Sequence, residues 1–491
     1  MNPVDCFRVP EDARQQIDRS IENNSGRLVA AVQDLVRIRS VAGEPDAVFP
    51  NGPGTGAALS RALLLARELG FPARNLDNRI GYAEYGTGDE YVAVLGHLDT
   101  VPEGDGWSVP PLGGEIHEGR IYGRGSLDDK GPVLAALFAL NALRESGIVL
   151  ERKVRVIFGT DEETGSTDVM HYLASEHPPV MGFTPDSDFP VVFAEKGILW
   201  LRLAKKIVPG NSGIRIRSIT GGTAPNMVPG TARAVLAAEC PDDIFFALQD
   251  YGEKTGVAVF AEAQDGGIVI RSRGLSAHAS RPDQGTNAVM QLIGFLATLD
   301  DGISESFAAL RFFNQVIGTE KPEESFGLSL SDAESGNLTL NAGMIDVSED
   351  FFRITLDIRH PVTVSREDIC SRIRATIRPG GFDTEVLKYD PPLYYPPSSR
   401  LVTALHAVYC AATGDSTPPL AIGGGTYARK IPNVVAFGPY RPGTVPPIHA
   451  PDEYIAVEDL VQLARIYAYA ICTLANTRRE EKYTACCPES S

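Results

Sequence analysis

The chain has 491 residues, of which 43% are hydrophobic and 22% charged, as expected for a globular protein large enough for two or more domains. Its formal net charge of −18 argues against nucleic acids and anionic membrane surfaces as partners, because both repel an acidic protein. The seven cysteines are scattered and form no CxxC pair, so we expect reduced thiols, a cytoplasmic location and no thiolate zinc site.

The first part of the chain alternates helical and strand patterns. Apolar residues recur at helical spacing in three segments, and the second of these is closed by Gly70. Short apolar runs between them are typical of buried strands. This alternation predicts an α/β fold in which a mixed sheet is flanked by helices. The predicted helices are residues 13–38, 55–69 and 131–146, and the predicted strands are residues 91–95 and 154–158.

The pattern changes near Lys196, where strand-like runs become more frequent, and the α/β pattern returns from Pro391. We therefore predict one discontinuous domain over residues 1–196 and 388–491, interrupted by an inserted α+β lid domain over residues 197–387. The predicted inserted strands include residues 268–271, 338–347 and 352–358, and the later elements are a helix at 400–413, a strand at 434–437 and a helix at 457–476.

His97 and Asp99 stand two residues apart, directly after the first predicted strand. Because side chains alternate along a strand, both leave the backbone on the same face. One can bind a metal ion while the other holds the second nitrogen of the imidazole. A histidine and an aspartate at this spacing are also common by chance, so a metal site requires further ligands elsewhere in the chain.

Two later segments carry adjacent carboxylates. Asp128 and Asp129 precede a predicted helix, where they could simply cap its N-terminus or where Asp128 could bridge two cations. Glu162 and Glu163 end a run of three acids that follows a predicted strand directly, at the sheet edge where α/β proteins bind ligands. The run could be a solvated loop, but such neighbours repel one another unless a cation is near.

The remaining candidate ligands lie between prolines. Asp186 belongs to an acidic pair in Pro-Asp-Ser-Asp-Phe-Pro, and His449 lies on a rigid Pro-rich loop. Mixed imidazole and carboxylate ligands suit Zn²⁺, with Mn²⁺ or Co²⁺ able to substitute. Two such ions would polarise a carbonyl and activate a water, with Glu162 as the general base. The predicted ligand set is His97, Asp128, Glu163, Asp186 and His449.

Several motifs in this chain occur in an order that is known from one enzyme family. They are Gly-His-Leu-Asp at 96–99, Gly-Arg-Gly-Ser-Leu-Asp-Asp-Lys-Gly at 123–131 and Asp-Glu-Glu-Thr-Gly at 161–165. Over nearly its whole length the chain resembles the di-zinc metallopeptidases, which include aminoacylase, glutamate carboxypeptidase and carnosinase. Further segments resemble PepV-type dipeptidases: residues 128–132, 185–190, 222–229, 274–278 and 423–429, although Ala428 stands where we expect glycine.

The resemblance implies roles for the predicted metal-site residues. His97 and Asp186 would hold one metal ion, Glu163 and His449 would hold the other, and Asp128 would bridge the two. Asp99 would orient the imidazole, and Glu162 would be the base. The peptide bond after the bridging aspartate, here Asp128–Asp129, is expected to be cis.

The resemblance also implies roles for residues of the inserted domain and of a glycine-rich loop. His278 would stabilise the oxyanion of the tetrahedral intermediate. Asn226 and Arg359 would bind the free carboxylate of the substrate, because the planar guanidinium pairs with both oxygens. Without the family context, His278 could belong to a surface turn and Arg359 could form an ordinary surface ion pair. The loop residues expected to add donors to that carboxylate are Gly424, Gly425 and Thr426.

These expectations predict a monomeric dipeptidase whose substrates carry a free C-terminal carboxylate. Two alternatives remain open. The chain could act on N-acyl amino acids, as a deacylase or as an enzyme like succinyl-diaminopimelate desuccinylase. It could also be a non-catalytic relative that binds metals or peptides, although the intact Glu162 and the complete ligand set argue against this.

Overall fold

The computed structural model describes residues 9–208, 213–238, 240–264, 267–299, 304–318 and 322–477. The chain divides into two compact units. The first unit comprises Met1–Phe193, Tyr395–Leu420 and Thr426–Ser491, and the second comprises Ala194–Tyr394 and Ala421–Gly425. Among the described residues, none of the helices is both long enough and apolar enough to cross a membrane.

The first unit is a mixed sheet with helices. Its helices are α1 (Glu11–Val36), α2 (Pro53–Glu68), α3 (Lys130–Glu145), α4 (Thr167–Ser175), α10 (Arg400–Thr413) and α11 (Val457–Ala475). Its strands are β1 (Ala73–Leu76), β2 (Ile80–Tyr85), β3 (Tyr91–His97), β4 (Glu115–His117), β5 (Arg120–Tyr122), β6 (Lys153–Gly159), β7 (Met181–Thr184), β8 (Ser187–Asp188), β9 (Val192–Glu195), β22 (Val434–Ala436), β23 (Pro439–Tyr440) and β24 (Tyr454–Ala456).

The main sheet of this unit has the order β1-β2-β6-β3-β7-β22-β9. Its four central strands, β6, β3, β7 and β22, run parallel to one another, so their carboxyl ends meet at one edge. Every residue of β3 is buried, which means that both faces of the sheet are covered. Helix α3 is buried along nearly its whole length and packs against α1 and α11. This core holds the ends of the central strands rigidly in place.

The second unit is built around one eight-stranded antiparallel sheet with helices packed on it. Its helices are α5 (Pro241–Thr255), α6 (Ala288–Leu296), α7 (Glu305–Ile317), α8 (Pro322–Ser325) and α9 (Arg366–Ile377). Its strands are β10 (Gly197–Lys206), β11 (Ile214–Gly221), β12 (Thr231–Ala238), β13 (Val259–Gln264), β14 (Gly267–Arg273), β15 (Ser331–Asp332), β16 (Gly336–Asn337), β17 (Thr339–Ser348), β18 (Phe351–His360), β19 (Asp383–Asp390) and β20 (Leu393–Tyr394), and β21 (Leu420–Ile422) begins at the boundary.

The sheet of the second unit has the order β13-β14-β12-β11-β17-β18-β10-β19. Its two halves meet at the antiparallel pair of β11 and β17, and the two halves follow the same plan. From the centre outward, a hairpin is followed by two further strands, and a helix packs near the outermost strand in each half (α5 with β13 and α9 with β19). Alternate strand residues and helix α6 build its apolar core.

The predicted α/β architecture is confirmed, and each helix and strand predicted from the sequence is present with ends displaced by no more than two residues. The division at residues 197 and 387 into a catalytic and a lid domain stays a prediction about function. Four described cysteines, Cys240, Cys370, Cys410 and Cys472, are free thiols. Cys6, Cys486 and Cys487 lie outside the described residues.

Candidate metal centre

The central parallel strands bring the predicted metal-site residues to one edge of the first unit. His97 is the last residue of β3, Glu162 and Glu163 follow β6, and Asp186 follows β7. His97 is paired in register with Gly159, the last residue of β6. Ligand sites of open α/β sheets lie at this carboxyl edge. The remaining two predicted ligands come from loops, Asp128 just before α3 and His449 between β23 and β24.

Asp128 lies between the two candidate imidazole ligands. Its Oδ1 is 3.1 Å from Nε2 of His97, and its Oδ2 is 3.0 Å from Nε2 of His449. His97 Nε2 is 3.7 Å from Asp186 Oδ2, and His449 Nε2 is 3.2 Å from Glu163 Oε1. The structure therefore brings all five predicted ligands together, with one oxygen of Asp128 facing each histidine. The Asp128–Asp129 peptide is cis, as predicted.

The donor atoms of this cluster fit divalent cations. Two sets of three residues, both of which include His97, offer ligand atoms that lie within 4.8 Å of one another. The first set also contains Glu162 and Asp186, and the second also contains Asp128 and Glu163. Imidazole nitrogens and carboxylate oxygens without thiolates are a donor set for Zn²⁺, Mn²⁺ or Co²⁺. The residues present are thus suited to hold metal ions between the two histidines and their carboxylates.

The electrostatics of the cluster favour the same conclusion. Burial, together with a smaller contribution from the neighbouring Glu163, raises the pKa of Glu162 to about 8 against the opposing effect of His97. Burial and the adjacent charge of Asp128 hold the pKa of Asp186 well above its usual range. Burial also opposes ionisation of Asp128, but contacts with His449 and His97 outweigh it and lower the pKa. Divalent cations would relieve this concentration of negative charge.

Asp99 contacts the centre in two ways. Nδ1 of His97 is 3.0 Å from the backbone oxygen of Asp99 and 3.5 Å from its carboxylate. The carboxylate itself accepts hydrogen bonds from the backbone N–H groups of Glu162 (3.2 Å) and Glu163 (3.0 Å). Asp99 is fully buried. Its side chain therefore fixes the acidic loop after β6 as well as facing the imidazole, a role that sequence spacing did not indicate.

A buried pair that the sequence patterns did not single out supports the same loop. The hydroxyl of Tyr427 donates a hydrogen bond of 2.6 Å to Asp168, which also accepts one of 2.7 Å from the backbone of Thr160. The Tyr427 ring meets the His97 ring edge-on, with centroids 6.2 Å apart. Burial raises the pKa of Asp168 to about 7. The sequence feature that could have indicated this pair is the position of Tyr427 directly after the glycine-rich loop.

In the second unit, Asn226 and His278 lie on two loops that pair with each other. The backbone oxygen of Asn226 accepts a hydrogen bond from Ala279, and Met227 forms an isolated bridge with His278. Nδ1 of His278 is 2.7 Å from Oγ of Ser280. The backbone therefore sets the spacing of Asn226, which is predicted to bind the substrate, and His278, which is predicted to stabilise the oxyanion.

Arg359 is buried and already paired with a carboxylate. Its Nε and one terminal nitrogen donate hydrogen bonds of 2.6 and 2.8 Å to the two oxygens of Asp357, and the other terminal nitrogen donates one of 3.2 Å to the backbone of Gly423. Arg359 thus holds the loop that continues into Gly424 and Gly425 in the same unit. Thr426 falls in the first unit, where its hydroxyl accepts a hydrogen bond from Ala428.

Together, the α/β sheet and the paired imidazole–carboxylate cluster define a metal-dependent hydrolase. The family model described as "Peptidase family M20/M25/M40" matches residues 93–473. The chain belongs to this peptidase family, whose members depend on metal ions and are typically dinuclear.

Individual relatives agree with this assignment. A Bacillus subtilis protein described as "Putative dipeptidase YtjP" is 37% identical over 91% of this chain and 97% of its own length. A Staphylococcus saprophyticus protein with a similar description is 31% identical over 90% of this chain and 96% of its own length. The crystal structure of human carnosine dipeptidase 1 shares the fold, with a TM-score of 0.57, 14% identity and coverage of 95% of this chain and all of that one.

The double contact of Asp99 with the acidic loop predicts a measurable effect on catalysis. Replacing Asp99 with Ala removes the acceptor of two backbone N–H groups and should lower kcat by about 10–100-fold. Asp99→Asn keeps one acceptor oxygen and should lose less activity. The matched control is Asp105→Ala, at an exposed position in the following loop. Full peptidase activity and metal content in Asp99→Ala would contradict this role.

Proposed function

We propose that this chain is a dipeptidase that hydrolyses dipeptides with a free C-terminal carboxylate, using water activated between two divalent metal ions. The observation that carries the proposal is the position of Asp128, which has one oxygen facing His97 and the other facing His449. Such a carboxylate can bridge two cations. The descriptions of relatives more than 30% identical over nine-tenths of the chain favour dipeptides as the substrate class.

We propose zinc as the metal, with Mn²⁺ or Co²⁺ as substitutes, because the donors are imidazole nitrogens and carboxylate oxygens. His97 and Asp186 would hold one ion, Glu163 and His449 the other, and Asp128 would bridge them. When bound, the two ions would polarise the scissile carbonyl and lower the pKa of water. Asp99 would keep the imidazole of His97 oriented through Nδ1.

Glu162 is the proposed general base. It lies on the same loop as the proposed ligand Glu163. Its carboxylate is also within 4.8 Å of the ligand atoms of His97 and Asp186. Burial raises the pKa of Glu162 to about 8 in the metal-free chain, and the positive charge of two bound ions would lower it toward the ionised form that a general base needs. In this mechanism Glu162 takes the proton of the attacking water and delivers it to the leaving amine.

His278 is the proposed donor to the oxyanion. Its Nδ1 accepts a hydrogen bond from the backbone N–H of Ser280, so the neutral imidazole carries its proton on Nε2. That N–H group would donate a hydrogen bond to the oxyanion. A donor of this kind contributes about 3–4 kcal/mol to transition-state stabilisation. In this proposal, residues 197–387 act as the lid that supplies it.

The substrate carboxylate is proposed to bind to residues of the second unit and the glycine-rich loop. Arg359 keeps one N–H on each terminal nitrogen beyond its contacts with Asp357 and Gly423, and these could pair with a carboxylate. Asn226 would add an amide donor. A fixed distance between this carboxylate site and the metals would limit substrate length. The proposed loop donors are Gly424, Gly425 and Thr426.

The adjacent glutamates allow the base and the ligand to be separated by isosteric substitutions. Glu162→Gln should lower kcat by about 10²–10⁴-fold while two metal ions still bind, because only the proton acceptor is lost. Glu163→Gln should instead reduce metal content. The checks are steady-state kinetics together with metal analysis of each purified variant. Equal activity of Glu162→Gln and the unaltered enzyme would rule out this base.

A substrate panel distinguishes the proposed dipeptidase from an N-acyl amino-acid deacylase or desuccinylase. We expect dipeptides with a free amine to be hydrolysed in the presence of Zn²⁺ or Mn²⁺, and acetyl- or succinyl-amino acids to be poor substrates. Amidated dipeptides, which lack the carboxylate, serve as the matched control and should also react slowly. Turnover of the acylated compounds alone would overturn the dipeptide assignment.

We also propose that the enzyme works as a monomer in the cytoplasm. The second unit already joins two similarly built half-sheets through β11 and β17, so its sheet is extended within one chain. Free thiols at the four described cysteines suit a reducing compartment. Light scattering should give a mass near 52.8 kDa. A stable dimer at micromolar concentration would contradict the monomer.

A further inference from the structure

Glu453 is a fully buried carboxylate that the mechanism above does not use. It lies four residues after His449. Its Oε1 accepts hydrogen bonds from the backbone N–H groups of Leu127 (3.0 Å) and Asp128 (3.2 Å). Its own backbone oxygen accepts one of 2.9 Å from Gly123. One residue of the His449 loop therefore holds the loop that carries the bridging carboxylate.

Arg124 provides the counter-charge of Glu453 and reaches a third segment. One terminal nitrogen of Arg124 is 2.6 Å from Oε2 of Glu453, and both side chains are almost completely buried. The other terminal nitrogen donates a hydrogen bond of 3.2 Å to the backbone oxygen of Glu103. The guanidinium also lies over the ring of Trp107, 5.2 Å from its centroid. The segment 103–107 begins four residues after Asp99 on the same stretch of chain.

We propose that Arg124 and Glu453 are positioning residues that assemble the metal centre by joining the three segments that carry His97, Asp128 and His449. The inference rests on the proposed metal ligands but concerns the residues behind them. The two N–H groups bound by Glu453 belong to Asp128 and to the residue before it, so a shift of this carboxylate moves the bridging ligand directly. Because the same residue lies on the His449 loop, the positions of both ligands are coupled.

A purely structural ion pair would have a different consequence. Breaking a buried pair destabilises a protein wherever the pair lies, because one charge is left uncompensated. The first unit offers a partly buried pair away from the centre: Nε of Arg155 is 2.7 Å from Glu84, near the amino-terminal half of β6, and Arg155 also pairs with Glu176. Glu84 variants therefore control for the loss of a partly buried ion pair without a contact to any ligand loop.

The test measures Zn²⁺ affinity of the metal-free full chain by competition with a chromogenic chelator. Glu453→Ala should weaken binding by about 10–100-fold, since substitution of residues behind metal ligands has effects of this size. Glu453→Gln keeps an oxygen for the N–H groups of Leu127 and Asp128 and should retain part of the affinity. Glu84→Ala and Glu84→Gln should bind Zn²⁺ like the unaltered chain, even where their thermal midpoints fall.

The outcomes separate this inference from the proposed function. Unaltered affinity in both Glu453 variants, or an equal loss in the Glu84 variants, would overturn the positioning role and leave the dipeptidase proposal intact. If Glu453→Ala does not fold, a folded Glu453→Gln with affinity equal to that of Glu84→Gln overturns it. A metal-free unaltered chain that binds no Zn²⁺ would overturn both proposals. A lower kcat at unchanged KM in Glu453→Gln would support positioning.

Discussion

Several buried and partly buried carboxylates are crowded at one edge of the central sheet, and the surrounding loops are organised around them. Asp128, Glu162 and Asp186 share a small volume with the ligand atoms of His97. Two like charges about 4 Å apart repel by about 4 kcal/mol at an effective dielectric constant near 20. Histidines alone leave this cluster with excess negative charge. The charges that repel one another in this cluster attract divalent cations.

Buried acids behind the candidate ligands hold the ligand loops in place by accepting hydrogen bonds from their backbone N–H groups. Asp99 binds the backbone of Glu162 and Glu163, and Glu453 binds that of Leu127 and Asp128. Both acids accept hydrogen bonds from backbone N–H groups, so they fix the loops while adding further negative charge. Arg124 compensates one of them directly. The negative charge that Arg124 does not compensate must be balanced by cations at the metal centre. The acids that hold the loops in place therefore also increase the need for cations there.

Much of the fold was accessible from the sequence because its elements carry strong periodic signals. Helix α3 and strand β3 are apolar over nearly their whole lengths, so their patterns have no competing interpretation. The clustering of the candidate ligands was also accessible, since His97 ends a buried strand, Glu163 follows another within four residues and Asp186 lies beside a proline. Glu453 and Asp168 were not, because a single acid in a loop or first helical turn looks the same whether it is solvated or buried. Only the packing of distant segments distinguishes the two.

Arg359 lies two residues after Asp357, at the same spacing as His97 and Asp99. The period of two that places His97 and Asp99 on one face of a strand also places Asp357 and Arg359 on one face of β18. The same reasoning therefore indicates an internal ion pair, and the structure contains it, with Asp357 accepting from two nitrogens of Arg359. Because Asp357 binds two of its nitrogens, the guanidinium of Arg359 has a fixed orientation, and the carboxylate offsets its positive charge. Substrate recognition at this position would then depend on the geometry of the remaining N–H groups more than on long-range attraction.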